Sequence, residues 1–263
     1  MAVTINNAEI RNLQIGPTIV TDGLVSYWAA ASRLSYPRAG SVWYDLILAN
    51  RNNGSLINMS GTNFTEDGQG ALVFDGADEY MSVPSSESLN FDNGPFTVSI
   101  WVEMDSSLNI GSGSYLLGKR GLGTLSKAGW MLTADKDIGG TTWKLTASIY
   151  DGSTGGYRSS GFALDFNHWY MLTVSYNIFL SRLQLYIYNI PDTALNFSPS
   201  LGSVNNSIPV ELCGTLYMNH SHAGGAIGLT PASIGSVALY NKTLTDEEIN
   251  EQFLATKGRW NIG

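Results

Sequence analysis

Apolar and polar residues alternate with a period of two along several stretches of the chain, most clearly in Phe96-Thr97-Val98-Ser99-Ile100-Trp101-Val102-Glu103. Phe96, Val98, Ile100 and Val102 share one face there, and Thr97, Ser99 and Glu103 share the other, which predicts a β-strand. Tyr170, Leu172, Val174 and Tyr176 repeat the pattern. Leu183, Leu185 and Ile187 do so again, opposed by Gln184, Tyr186 and Tyr188, which predicts aromatic side chains on that strand's outer face. Further short apolar runs lie at 24–28, 71–74, 115–119, 130–134, 143–150, 210–217 and 233–240, separated by turns rich in Gly, Asn, Ser and Asp. Many short strands at this spacing predict an all-β sandwich.

One stretch is helical in pattern. Thr245-Asp246-Glu247-Glu248 fits a capping box, with the Thr245 hydroxyl accepting the amide of residue 248 and the Glu248 carboxylate reaching back. Leu244 and Ile249 form a hydrophobic staple around it, and the helix is expected to run to about Lys257 and stop at Gly258. No internal repeat, charge run or long linker divides the chain. It reads as one domain, 23–263, preceded by an N-terminal arm, 1–22, that ends at the turn signal Asp22-Gly23.

Composition narrows the class. The 263 residues are 43% hydrophobic and carry a net charge of −8. That supplies a sizeable core, contains no apolar run of membrane-helix length, and has the wrong sign for gripping a phosphate backbone. Neither membrane insertion nor nucleic acid is expected. The N-terminus lacks a basic start and an apolar signal core, so classical secretion is not expected and the Asn-x-Ser/Thr triplets at Asn53, Asn58 and Asn63 carry little weight. The single cysteine, Cys213, is expected to be a small buried hydrophobe.

The residues resemble a family, the concanavalin A-like, laminin-G-like jelly rolls, and within it a subgroup common in bacteriophage structural proteins. The blocks that carry the resemblance begin with Gly16 to Val25 and continue through Ser35-Tyr36-Pro37, Trp43-Tyr44-Asp45-Leu46 and Asn52-Asn53-Gly54-Ser55-Leu56. They end with Phe74-Asp75-Gly76-Ala77-Asp78-Glu79-Tyr80, the 96–102 strand and Ala238 to Ile249. In order they span roughly 16–259. The resemblance implies a jelly-roll sandwich with one short C-terminal helix. With no catalytic set in view, it also implies a non-enzymatic virion protein, a capsid decoration or tail-associated component. Its partners would be other virion proteins and further copies of itself as a homo-oligomer. The alternative is a carbohydrate-binding, lectin-like module for attachment to a host glycan. Ala29-Ala30 and Ile47-Leu48-Ala49-Asn50 replace an acidic residue and a polar loop usual in the subgroup, which lowers the expectation of a calcium or glycan site there.

The candidate chemistry is sparse. Glu103-Met104-Asp105 begins the Glu-x-Asp-x-x-Glu of some glycosidases, but position 108 is Leu108, so the acid is missing. Gly113 to Lys119 matches a phosphate loop up to Arg120, which replaces the magnesium-binding Ser or Thr, and its Tyr-Leu-Leu middle fits a strand better. His220 and His222 are two ligands where a zinc site needs more. Asp75 and Asp78 flank a glycine as candidate calcium ligands, and a plain β-turn is the other reading of the same residues. No other cofactor is expected. Trp43, Tyr44, Tyr186 and Tyr188 are the candidate glycan platform, with packing as their alternative role.

Overall fold

The computed structural model describes residues 19–60, 63–92, 94–108, 114–120, 128–137, 139–197, 201–213 and 229–262, together with the backbone of 3–5 and 8–10. In chain order the strands are β1 (Val3–Ile5), β2 (Ala8–Ile10), β3 (Leu24–Ala29), β4 (Val42–Trp43), β5 (Gly54–Ile57), β6 (Phe64–Thr65) and β7 (Ala71–Asp75). Then come β8 (Tyr80–Val83), β9 (Phe96–Met104), β10 (Ser114–Lys119), β11 (Gly129–Lys136), β12 (Thr142–Tyr150) and β13 (Gly155–Ser159). The series closes with β14 (Leu164–Asp165), β15 (Trp169–Asn177), β16 (Arg182–Ile187), β17 (Ile190–Asn196), β18 (Val210–Leu212) and β19 (Pro231–Tyr240), followed by helix α1 (Asp246–Thr256).

Apart from the β1-β2 pair, the strands form two sheets. One runs β13-β12-β11-β10-β18-β8-β5-β4 with β14 beside β12, and the other runs β17-β16-β15-β9-β19-β7-β6 with β3 beside β19. This is the all-β sandwich the pattern predicted and the jelly roll the resemblance implied. Each apolar run named above contains a strand, and 213–217, the end of one of them, lies beyond β18 and is described only at Cys213. The edge strand β17 was not anticipated, because Pro191 and Asp192 suit a sheet interior poorly.

Alternating side chains of both sheets fill the space between them, including Trp28, Trp43, Phe74, Met81, Phe96, Ile100, Leu117, Trp143, Leu172 and Val237. A second apolar cluster lies on the other face of the eight-stranded sheet, where Trp101, Trp169, Tyr186 and Tyr240 meet Ile249 and Phe253 of α1 and Trp260. The outer face of β9 is therefore buried too. Its hydroxyls find partners there: Thr97 Oγ1 donates to Lys242 O at 2.8 Å and accepts from Leu244 N at 3.0 Å, and Thr173 Oγ1 donates to Ser99 Oγ at 3.0 Å.

The capping box forms as expected, with Glu248 N to Thr245 Oγ1 at 3.2 Å and Thr245 N to Glu248 Oε2 at 3.0 Å. The helix gives way after Thr256 to a 3-10 turn over Lys257–Arg259, which delivers Trp260 onto the sheet. The Trp260 ring stacks on Trp169 with centroids 3.9 Å apart. Two glycines make the room. A Cβ on Gly68 (φ 58°) would lie 1.7 Å from the indole, and one on Gly235 would lie 2.2 Å from it.

The chain on either side of the arm boundary is tied into this layer. Val20 N donates to Gln252 Oε1 at 3.1 Å, and Tyr240 Oη donates to Val20 O at 3.1 Å. Residues 1–18 of the arm lie outside the described side chains.

Gly235→Val should force Trp260 out of its seat and cost about 2 kcal/mol through overpacking. Denaturant titration followed by tryptophan emission checks this; an unchanged midpoint would mean that the aromatic layer does not hold the helix.

Candidate functional site

The hairpin of β15 and β16 aligns polar side chains on the outer face of the eight-stranded sheet, just beyond the area that α1 covers. Cross-strand pairing sets Ser175 against Gln184 and Asn177 against Arg182, and β17 places Pro191 against Tyr186. Thr243 to Asp246, leading into α1, form the opposite wall. Together they enclose a groove of about 480 Å³, within the range usual for small-ligand sites. The hairpin tip stands at its lip, with Phe179 87% and Leu180 65% exposed; Asn177 Oδ1 shapes the turn by accepting from Leu180 N at 3.0 Å.

Inside the groove, Tyr186 Oη donates to Asp246 Oδ1 at 2.8 Å. Burial first, and then this carboxylate, push the phenol well above its ordinary pKa. Arg182 Nη2 donates to Gln184 Oε1, and Gln184 Nε2 donates in turn to Leu185 O at 2.9 Å and Thr193 O at 3.1 Å. The floor is thus a fixed lattice of hydrogen bonds rather than a set of loose side chains.

The four aromatic candidates are not brought together. Trp43 is fully buried in the core between the sheets, which corrects its assignment to a glycan platform. Alternation turns its ring inward, where no ligand reaches. Tyr44, next to it, is 42% exposed at the β4 edge of the other sheet. Tyr186 lies on the outer face as expected, but α1 and the groove walls leave it only 6% exposed, so its ring has no open face on which a sugar could stack. Tyr188 has φ 57° and leaves the strand; its hydroxyl donates to Trp169 O at 2.9 Å and its ring stacks on Tyr170. The residues that pattern reading missed are Asn177, Phe179, Arg182, Gln184 and Asp246.

Asp75 and Asp78 take the turn reading. Asp75 Oδ1 accepts from Ala77 N at 2.7 Å and Asp78 N at 3.3 Å, across Gly76 at φ 72°. Glu79, beside them, accepts from Asp75 N at 2.9 Å and Asn63 Nδ2 at 2.7 Å. Among the described residues no three His, Cys, Asp or Glu side chains converge as a metal site. His220 and His222 lie outside the described residues. Cys213 is fully buried as expected, and burial raises its thiol pKa.

The acid pair of the partial glycosidase motif sits at a sheet end. Glu103 is half-buried, and burial, Asp67 and Asp105 together raise its pKa. Leu108 is packed in the core.

A buried lysine and a buried glutamate occur in the nine-stranded sheet. Lys119 is 2% exposed. Its ammonium donates to Ser85 Oγ at 2.9 Å, Asn206 O at 2.6 Å, Asn206 Oδ1 at 3.2 Å and Ile208 O at 2.9 Å, pinning the 201–208 segment. The residue aligned with a phosphate-loop lysine is thus a structural cation. Glu211, central in β18 and 8% exposed, has no hydrogen-bond partner for Oε2, and burial pushes its carboxyl up to about 7.

The fold and groove define a lectin-like jelly roll with a solvent-open pocket on its helix-bearing sheet. Residues 75–250 match the family model of the concanavalin A-like lectin/glucanases superfamily, and the chain belongs to that superfamily. No curated protein sequence matches it detectably. Among solved structures, it is similar to the binding domain of Paraclostridial Mosquitocidal Protein 1 (TM-score 0.63, 15% identity, covering 88% of this chain and 52% of that one). It is also similar to a botulinum neurotoxin serotype D/C binding domain (TM-score 0.61, 13% identity, 88% and 51%). A third similar structure is Trypanosoma rangeli sialidase in complex with sialic acid (TM-score 0.56, 19% identity, 95% and 37%). The chain spans about half of each toxin binding domain and little over a third of the sialidase. At these identities the likeness is one of fold.

Glu211 gives a pH test. Its carboxyl ionises at an ordinary 4.5 when unfolded but near 7 when folded, so the folded state holds the extra proton between these values. Stability from this group is complete below pH 4.5 and falls as pH rises to 7. Glu211→Gln should therefore raise the Tm at pH 8 by about 5 °C and leave it unchanged at pH 4, as read by calorimetry; an equal effect at both values would contradict the assignment.

Proposed function

We propose that the chain is a non-enzymatic recognition module carried on a bacteriophage particle, as a capsid decoration or tail-associated protein that works through protein-protein contacts with neighbours and with its own copies. The observation that carries a binding rather than a catalytic role is the make-up of the groove. Asp246 is the one carboxylate lining it, and it already accepts the Tyr186 phenol, whereas most glycoside hydrolases use two carboxyl groups flanking one bond. The binding domains among the similar structures support a recognition role. The virion location rests on the ordered sequence blocks from Gly16 to Ile249.

A second reading, attachment to a host glycan, is favoured by the same groove, whose polar floor and apolar lip are those of a small-ligand site. Quantitative proteomics of purified particles tests the leading reading. Hundreds of copies per particle indicate a capsid position and a few indicate the tail; absence from the particle overturns the virion assignment. Sugar release from host polysaccharide, abolished by Glu103→Gln, would overturn the non-enzymatic one.

A further inference from the structure

We infer that the groove between the β15-β16-β17 sheet and the start of α1 binds a neutral, hydroxyl-rich ligand, a saccharide of one or two rings. The inference deepens the glycan reading above and rests on it. Its first support is charge. The lining carries one guanidinium, Arg182, and one carboxylate, Asp246, so the groove is locally balanced in a chain of net charge −8. An anion is disfavoured by Asp246, Glu247 and Glu248 in the first turn of α1. The Thr245 side chain also takes one of the helix-start amides that would otherwise receive an anion. A cation finds a single carboxylate, next to a guanidinium.

The second support is hydrogen-bond supply. Arg182 uses one of its N–H groups on Gln184, and a guanidinium has five. Asp246 uses one oxygen on Tyr186, which leaves the other for a ligand. Asn177 accepts through its oxygen and keeps its amide N–H groups free for donation. A sugar hydroxyl donates and accepts at once, so it pairs with both ends of such a set, which neither a pure donor nor a pure acceptor does.

The third support is the lip. Leu180 and Pro191 border the polar floor, and the exposed Phe179 ring stands beside Leu180 at the hairpin tip. They give the C–H face of a pyranose an apolar surface to cover. Packing of that face frees water from side chains that otherwise stay wet.

Saturation-transfer NMR and titration calorimetry on the full chain test the inference, with methyl glycosides and lactose as neutral probes, sialic acid as the anionic probe and glucosamine as the cationic one. The expected result is binding of at least one neutral sugar, weakened about tenfold or more by Arg182→Ala and by Asp246→Asn. Tyr157→Ala, on the other sheet, should leave it unchanged. Amide and side-chain shifts of wild-type protein at Asn177, Arg182 and Gln184 give a readout that does not depend on how the variants fold. Neutral sugar binding that survives both substitutions and moves no groove resonance overturns the groove and spares the glycan reading. No binding of any sugar overturns both, and preference for sialic acid or glucosamine overturns the ligand class.

Discussion

The architecture depends on one constraint: the eight-stranded sheet is buried on both faces. Its inner face closes the sandwich, and its outer face receives α1 and the Trp260 turn. A strand buried on two sides has no water to satisfy the polar residues that alternation places on it. Thr97, Ser99 and Thr173 accordingly bond to one another or to the segment entering the helix. The helix covers only part of the sheet. Where its cover ends, toward the β15-β16 hairpin tip, the outward polar positions Asn177 and Arg182 reach solvent, and the groove is the result.

The long strands and the helix cap were legible because local pattern determines them. A period of two over eight residues and a Thr-x-x-Glu cap before an apolar residue leave little choice. Both faces of β9 being buried was not legible, since the covering residues lie some 150 positions away in sequence. The groove failed for a related reason. Gln184 and Tyr186 were seen to share a face, but joining them to Ser175 and Asn177 requires the register of the β15-β16 pair, and joining them to Asp246 requires the helix to be in place. Trp43 failed differently: inside a family block, an aromatic reads equally as surface or core.

The blocks that carry the family resemblance are scaffolding in this chain. Asp45 accepts from Tyr27 N at 2.9 Å, Ile47 N at 2.9 Å and Asn52 N at 3.1 Å. Asn52 Nδ2 donates to Ser26 Oγ at 2.7 Å, and Ser35 Oγ donates to Tyr44 O at 2.6 Å. Together they fasten the 30–53 loops to β3. The resemblance therefore spoke to fold more than to ligand. Lys119 and Glu211 extend the contrast: one buried ion is enclosed by four oxygens, whereas the other group, with its Oε2 unpartnered, is held by burial closer to its neutral form.

The placement of β3 against β19 has a mechanical consequence. The strands are antiparallel, with Leu24 opposite Tyr240 and Ala29 opposite Ser236, so the chain enters and leaves the sandwich at the same end of one ladder. Tension between residues before Leu24 and residues after Tyr240 loads that ladder in the peeling direction, one hydrogen bond at a time, and not in shear. Resistance at that end then falls to the lateral ties, Val20 to Gln252 and the Lys242 ammonium, which reaches Asp22 at 2.6 Å and Glu248 at 2.7 Å. Traction on those two segments is therefore opposed first by side-chain ties and only afterwards by the ladder itself.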